Sequence, residues 1–270
     1  MTLYLIGLGL GDEKDITIKG LELVKQADIV YLEHYTSILS VGKERLEEFY
    51  GREVFLADRT LVESQAEELL INPAKSQNIV LLVVGDPYGA TTHTDLLLRA
   101  KEANVKVEVV HNASIMNVVG KIGLELYKFG KTTSIPFWDD GFEPETPYDV
   151  IKMNQQNGLH TLCLLDIKVA EPTKEELRKG IAPKNVQPRF MSIQQGLEIL
   201  QKIEEKKQEH IINDELLVIA VARLGQKDEQ ILAGTVNEIM NKDFGDPLHS
   251  LIIPGKLHDI EQEAIDMYKQ

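Results

Sequence analysis

Thr2-Leu3-Tyr4-Leu5-Ile6-Gly7-Leu8-Gly9-Leu10-Gly11-Asp12 opens the chain with an apolar run that breaks into alternating glycines. A short apolar run closed by glycines reads as a buried strand ending in a turn. In open α/β sheets the carboxyl end of a strand is where ligands sit. Glycine lets a ligand approach the backbone closely, and a plain tight turn accounts for the same residues. The spacing is not a dinucleotide fingerprint, because G-x-G-x-x-G would need glycine where Asp12 stands, and its carboxylate would repel a pyrophosphate. No Gly-Lys-Ser/Thr follows to make a phosphate loop.

Outward from this strand, apolar runs alternate with amphipathic stretches: Leu3–Leu8, Ile18–Ala27, Ile29–Leu32, Lys43–Phe49, Val54–Leu56, Leu61–Leu70, Ile79–Val84, Asp95–Ala103 and Val105–Val110. Strand and helix in repeated order predict a mostly parallel sheet covered by helices, since parallel neighbours need crossover connections. A second series runs through Thr133–Pro136, Tyr148–Gln156, Thr161–Ile167, Ile193–Lys206, Leu216–Ala222, Gln230–Val236, His249–Ile253 and Asp259–Tyr268. Thr146-Pro147 reads as an N-cap followed by proline at the first helical position, and Ser192 as the cap of a helix with Ile193, Leu197, Leu200 and Ile203 on one face. The expectation is two α/β domains with mostly parallel or mixed sheets, residues 1–111 and 112–270, joined somewhere between Asn112 and Lys131. Between Val169 and Met191 prolines 172, 183 and 188 interrupt the pattern, leaving an excursion with a short helix at Lys174–Lys179.

A chain of 270 residues suits two such domains, and 43% hydrophobic with 27% charged residues is the composition of a globular protein. The net charge of −14 repels phosphate backbones and anionic lipids, so neither nucleic acid nor a membrane surface is expected as partner. The opening lacks a basic n-region and no apolar run reaches ~18 residues, so the cytoplasm is the expected location. The single cysteine, Cys163, lies in the apolar run Leu162–Leu165 and reads as a buried, inert thiol. The seven histidines and this cysteine show no zinc spacing, no Gly-x-Ser-x-Gly elbow occurs, and no metal is expected.

Further turns with chemical potential stand at strand ends. Gly85-Asp86-Pro87-Tyr88-Gly89 is a sharp turn whose Asp86 either accepts from a ligand amine or hydroxyl, or caps the next helix. At His111-Asn112-Ala113-Ser114-Ile115 free N–H groups with the Ser114 hydroxyl suit a carboxylate, with capping by Asn112 as the plainer reading. Leu165-Asp166-Ile167-Lys168, Ala222-Arg223-Leu224-Gly225 and Gly245-Asp246-Pro247-Leu248-His249 occupy similar boundaries, where Leu165 and Leu224 alone would read as core.

Taken together, the glycine turn Leu5–Asp12, Gly85-Asp86-Pro87, His111–Ile115, Tyr127-Lys128-Phe129-Gly130, His160–Lys168 and Gly245–His249 resemble the diphthine synthase family of the tetrapyrrole-methylase-like superfamily, from residue 2 to about 258. The resemblance implies two α/β domains with S-adenosylmethionine bound in the cleft between them, S-adenosylhomocysteine as product, and a homodimer. It implies cofactor contacts at Leu10, Asp86, Gly89, Ser114, Ile115, Leu165, Leu224 and His249. It implies methylation of the aminocarboxypropyl-modified histidine of translation elongation factor 2, in diphthamide biosynthesis. The Val169–Met191 excursion is similar to the longer eukaryotic form, which implies four methyl transfers ending in the methyl ester rather than three.

Methyl transfer from a sulfonium asks chiefly for positioning, and a cationic sulfonium favours the neutral, attacking form of a nearby amine. No general base is therefore assigned. A site for successive methylation has to tolerate a permanent cation, which suits carboxylates or aromatic faces; Tyr88, Phe137 and Trp138 are the candidates. The rival readings are a methylase acting on a tetrapyrrole or ribosomal RNA, and a nucleotide-binding regulatory module without catalysis.

Overall fold

The computed structural model describes residues 1–91, 93–139, 141–169 and 188–269. The helix expected at Lys174–Lys179 and most of its excursion lie outside them. The chain separates into two compact units: the first holds residues 1–118 together with 225–227, and the second begins at Val119.

The first unit is a five-stranded sheet of β1 (Thr2–Gly7), β2 (Ile29–Glu33), β3 (Phe55–Ala57), β4 (Ile79–Val83) and β5 (Lys106–Val110), in the order β3-β2-β4-β1-β5. Every pairing is parallel, as the alternation predicts, with Leu3 opposite both Ile79 and Val107. All five residues of β4 are buried, because a central strand covered on both faces needs an unbroken apolar run. Helix α1 (Ile18–Gln26) starts where Thr17 Oγ1 accepts from Gly20 N at 3.0 Å, and α2 (Lys43–Tyr50) ends on Gly51 in the left-handed region. The crossover read as one helix over Leu61–Leu70 differs: it is two wide π-type turns, Thr60–Ser64 and Glu67–Ile71, followed by a short turn at Pro73–Lys75. Val62, Ala66 and Leu70 remain buried at helical spacing. The apolar pattern reports which face is inward, but not which carbonyl each N–H selects. Helix α3 (Thr94–Glu102) completes the unit with the four-residue α4 (Ile115–Val118).

The second unit carries β6 (Thr133–Ile135), α5 (Thr146–Gln156), β7 (Thr161–Leu165), the short antiparallel pair β8 (Ile167–Lys168) and β9 (Arg189–Phe190), α6 (Ile193–Lys207), β10 (Leu217–Ala222), β11 (Gln230–Thr235), α7 (Val236–Met240), β12 (His249–Ile253) and α8 (Asp259–Asp266). Its main sheet has the order β11-β10-β12-β7-β6 and is antiparallel apart from the β6–β7 pair. The mixed pattern has a local cause, since β10 runs into β11 with no crossover helix between them. Ser192 and Gln195 form the reciprocal cap of α6, with bonds of 3.2 and 3.0 Å, and Ile193, Leu197, Leu200 and Ile203 are fully buried. The reading of Thr146 as an N-cap is corrected: Glu145 takes that position without a side-chain cap, and its carbonyl accepts from Tyr148 N and Asp149 N. Cys163 is buried and its thiol is pushed up to about 12 by burial, as an inert core residue requires.

A polar knot locks this unit. The Glu261 side chain is fully buried and accepts from Lys128 Nζ, from Glu125 N at 3.1 Å, from His160 Nε2 at 3.0 Å and from His258 N at 3.2 Å. His160 Nδ1 accepts from Gly255 N at 3.0 Å, so the ring is neutral with its proton on Nε2. Burial would raise the Glu261 carboxyl, but Lys128, the backbone donors and His160 outweigh it and hold it at about 2. Replacing Glu261 with alanine leaves Lys128 and His160 facing a buried void, and urea unfolding should show a loss of about 3 kcal/mol. Because the folded value lies below the ordinary 4.5, this contribution is complete above pH 4.5 and fades as pH falls towards 2, so the wild-type advantage over Glu261→Ala should shrink across that window.

Candidate functional site

β4, β1 and β5 are neighbours and parallel, so their carboxyl ends deliver three turns to one place: Leu8–Asp12, Val84–Gly89 and His111–Ser114. The first two turns bridge directly, Gly85 N donating to Gly9 O at 2.8 Å and Gly9 N to Gly85 O at 3.2 Å. Asn112 ties in the third, its amide donating to Gly7 O at 3.0 Å and to Asp15 O at 2.9 Å. Gly11 N donates to Asp15 Oδ2 at 2.8 Å, and the Ser40 hydroxyl donates to Gly11 O at 2.6 Å. The glycines are needed for this mutual contact. A Cβ on Gly7 would lie 2.6 Å from Gly85 O and 2.8 Å from Asn112 Cβ, and one on Gly89 would lie 2.6 Å from Ser114 Oγ. The backbone approach they permit is thus, at Gly7 and Gly89, the approach of neighbouring turns.

Asp86 neither caps α3 nor points free. Its Oδ1 accepts from Tyr88 N at 2.9 Å, and its Oδ2 from Asn112 N at 3.0 Å, with His111 Nδ1 at 2.9 Å. Burial pushes this carboxyl up, but the two backbone donors and His111 more than offset it and hold it below the usual carboxylate range. The free N–H groups expected at the third turn are a correction: Asn112 N, Ala113 N and Ser114 N donate to Asp86 Oδ2, Asn112 Oδ1 and Asn117 Oδ1. Of the residues assigned to the cofactor, Leu10, Asp86, Gly89, Ser114 and Ile115 all belong to these three turns, Ile115 opening α4.

Leu165, Leu224 and His249 lie at one edge of the second unit's sheet. β12 runs antiparallel to both β7 and β10, with Ser250 opposite Leu164 and His249 opposite Ala222, so the end of β7, the end of β10 and the start of β12 coincide. All three side chains are buried. Arg223 organises this edge: it donates to Asp228 Oδ2 at 2.6 Å, to Phe244 O at 2.7 Å and to Asp246 O. Asp246 O in turn takes His249 Nε2 at 3.0 Å. Burial lowers the imidazole below its ordinary value, so at neutral pH His249 is uncharged, its proton directed at that carbonyl. Its Nδ1 is then a bare acceptor, buried and without a hydrogen-bond partner among the described residues. An adenine amine or a ribose hydroxyl supplies the donor such an atom lacks, which fits the cofactor implied.

The aromatic candidates separate. Arg189 covers the Phe137 ring at 4.2 Å, with Lys168 at 5.8 Å, and Lys206 covers Trp138 at 4.5 Å, so these faces already carry the chain's own cations. Tyr88 is exposed beside His111. Glu125, His258 and Glu261 are close enough to share an ion, but the carboxylate oxygens of Glu261 are already engaged by Lys128, His160 and two backbone N–H groups. Two contributors escaped the sequence reading: Asn112 as the stitch between turns and Arg223 as the anchor of the His249 edge. Asp86→Ala strands Tyr88 N and Asn112 N, so stability should drop by about 2 kcal/mol in urea unfolding, with cofactor affinity falling in calorimetry. A variant as stable as wild type would show that the brace is dispensable.

The family model described as Tetrapyrrole (Corrin/Porphyrin) Methylases matches residues 2–240. The chain is 52% identical over 271 residues to the diphthine methyl ester synthase of Homo sapiens, covering 98% of this chain and 94% of that one. To the diphthine methyl ester synthase of Saccharomyces cerevisiae it is 49% identical over 265 residues, 97% and 88% of the two chains. A crystal structure of diphthine synthase superposes with a TM-score of 0.85 at 35% identity, covering 100% of this chain and 96% of that one. Agreement of that depth along nearly the whole of both chains places this protein in the tetrapyrrole methylase family, on its diphthine methyl ester synthase branch.

Proposed function

We propose that this chain transfers methyl groups from S-adenosylmethionine to the aminocarboxypropyl group of the modified histidine in translation elongation factor 2, as a step of diphthamide biosynthesis. Four transfers, three to nitrogen and one to the carboxylate, give the methyl ester. The observation that carries this reading is the identity of about half of all residues with proteins named diphthine methyl ester synthase, sustained along the full chain.

The cofactor residues in this reading are Leu10, Asp86, Gly89, Ser114, Ile115, Leu165, Leu224 and His249. When bound, the cofactor supplies a methyl group on a sulfonium leaving group. His249 Nδ1 accepts a hydrogen bond from it, and Leu165 and Leu224 offer apolar contact at the same sheet edge. In the first unit Asp86 holds the second and third turns at fixed separation, so what this chain contributes there is position. The anionic surface, −14 overall, suits a protein acceptor rather than RNA, and no helix among the described residues is long and apolar enough to cross a membrane. The protein works in the cytoplasm as a homodimer in this reading.

Mass spectrometry of elongation factor 2 bearing the aminocarboxypropyl histidine, after incubation with this protein and S-adenosylmethionine, should show the added mass of four methyl groups. Three would restrict the product to the trimethylated amine, and none would refute the assignment.

A further inference from the structure

One buried titratable group has no part in the site described above. His93 stands at the entry to α3 and is 1% exposed. Its Nδ1 lies 2.9 Å from Pro87 O, which also accepts from the Thr91 hydroxyl. A carbonyl only accepts, so Nδ1 carries the hydrogen, and in the tautomer this selects Nε2 is a lone-pair acceptor. That nitrogen is buried and has no hydrogen-bond partner among the described residues. Leaving a buried acceptor unmatched is unfavourable by about 1–3 kcal/mol, so its retention points to a ligand that donates to it.

The ring lines a cavity of about 200 Å³ together with Val62, Glu63, Asp95 and Leu96. At roughly 30 Å³ per water molecule, the space suits a short aliphatic chain ending in one polar group. Val62 and Leu96 are buried and make apolar wall, while Glu63 and Asp95 reach solvent at its mouth. The charged neighbours are Arg59, 3.7 Å from Glu63, and Arg99, which pairs with Glu67 and Asp95; Tyr35 lies under Arg59 and feels Glu63 and Asp58. Carboxylates outnumber guanidiniums, so the mouth draws cations. The same Pro87 carbonyl that orients His93 belongs to the turn carrying Asp86 and Gly89, which fixes the imidazole relative to that turn.

We propose that this cavity receives the alkylammonium group of the acceptor and that His93 Nε2 takes one proton from it before each nitrogen methylation. The inference rests on the function proposed above. In each nitrogen step an N–H bond of the ammonium breaks and its proton passes to Nε2. The freed nitrogen pair then forms the N–CH₃ bond while the C–S pair returns to sulfur, and the imidazolium releases its proton to solvent. After the third step no N–H is left. The ester-forming step uses a carboxylate oxygen and needs no proton acceptor, so the two kinds of transfer differ in their need for His93.

That difference supplies the test. His93→Asn keeps a donor directed at Pro87 O and removes the acceptor at the Nε2 position. Two acceptors are used: elongation factor 2 bearing the unmethylated aminocarboxypropyl histidine, and the same protein already trimethylated. Nitrogen methylation by the variant should slow about 100-fold at neutral pH and recover as the pH is raised, because hydroxide then frees the amine. Ester formation on the trimethylated acceptor should fall far less, and cofactor affinity by calorimetry should be retained, which also shows that the variant folds. Equal slowing of both transfers, lost cofactor affinity, or unslowed nitrogen methylation overturns the role of His93. Failure of the wild-type protein on both acceptors overturns the functional reading instead, and this inference with it.

Discussion

The structure of the first unit depends on backbone contact between turns. Parallel strands β4, β1 and β5 end side by side, and what keeps their loops from splaying is a set of short polar bonds: Gly9 with Gly85, Asn112 with Gly7 O and Asp15 O, and Asp86 with Tyr88 N and Asn112 N. Each is a group that would otherwise be left unpaired at a crowded sheet edge, so the set is mutually required. Leu10, Gly89 and Ser114, which the proposed function assigns to the cofactor, inherit their places from it. These bonds are all made within the chain itself, and fixed turns of this kind suit a reaction where positioning matters most.

The second unit reaches similar rigidity by other means. Glu261 gathers Lys128, His160 and two backbone donors into a buried knot, and Arg223 draws Asp228, Phe244 and Asp246 together beside His249. Both are charged groups kept in the interior by full hydrogen bonding, the condition under which buried charge is tolerated. The segment Tyr127–Gly130 and residue His160, which help carry the family resemblance, act here through structure: Lys128 and His160 serve the knot and Gly130 packs against Asn154.

Much of the fold was legible because periodicity reports burial. The unbroken apolar run at Ile79–Val83 is a central strand, and Ser192 with Gln195 caps a helix as its spacing suggests. The crossover at Thr60–Ile71 was misread in detail, since hydrogen-bond choice within a helix leaves no apolar signature. The turns of the candidate site were recognisable from glycines at strand ends. Their partners were not: Asn112 meets Gly7 across 105 residues and Glu261 meets Glu125 across 136, and no local pattern encodes such pairings. His93 had a faint signal, a histidine a few residues beyond Gly-Asp-Pro, but only its burial and the unmatched Nε2 give it meaning.

The three turns of the first unit are locked together by their own polar bonds, without help from a cofactor. Native-state amide hydrogen exchange on the cofactor-free protein measures this directly at Gly85, Tyr88 and Asn112. With the turns locked in this way, these amides should exchange as slowly as those of β4, through global unfolding alone. Fast exchange at these positions that slows only once S-adenosylmethionine is added would contradict it.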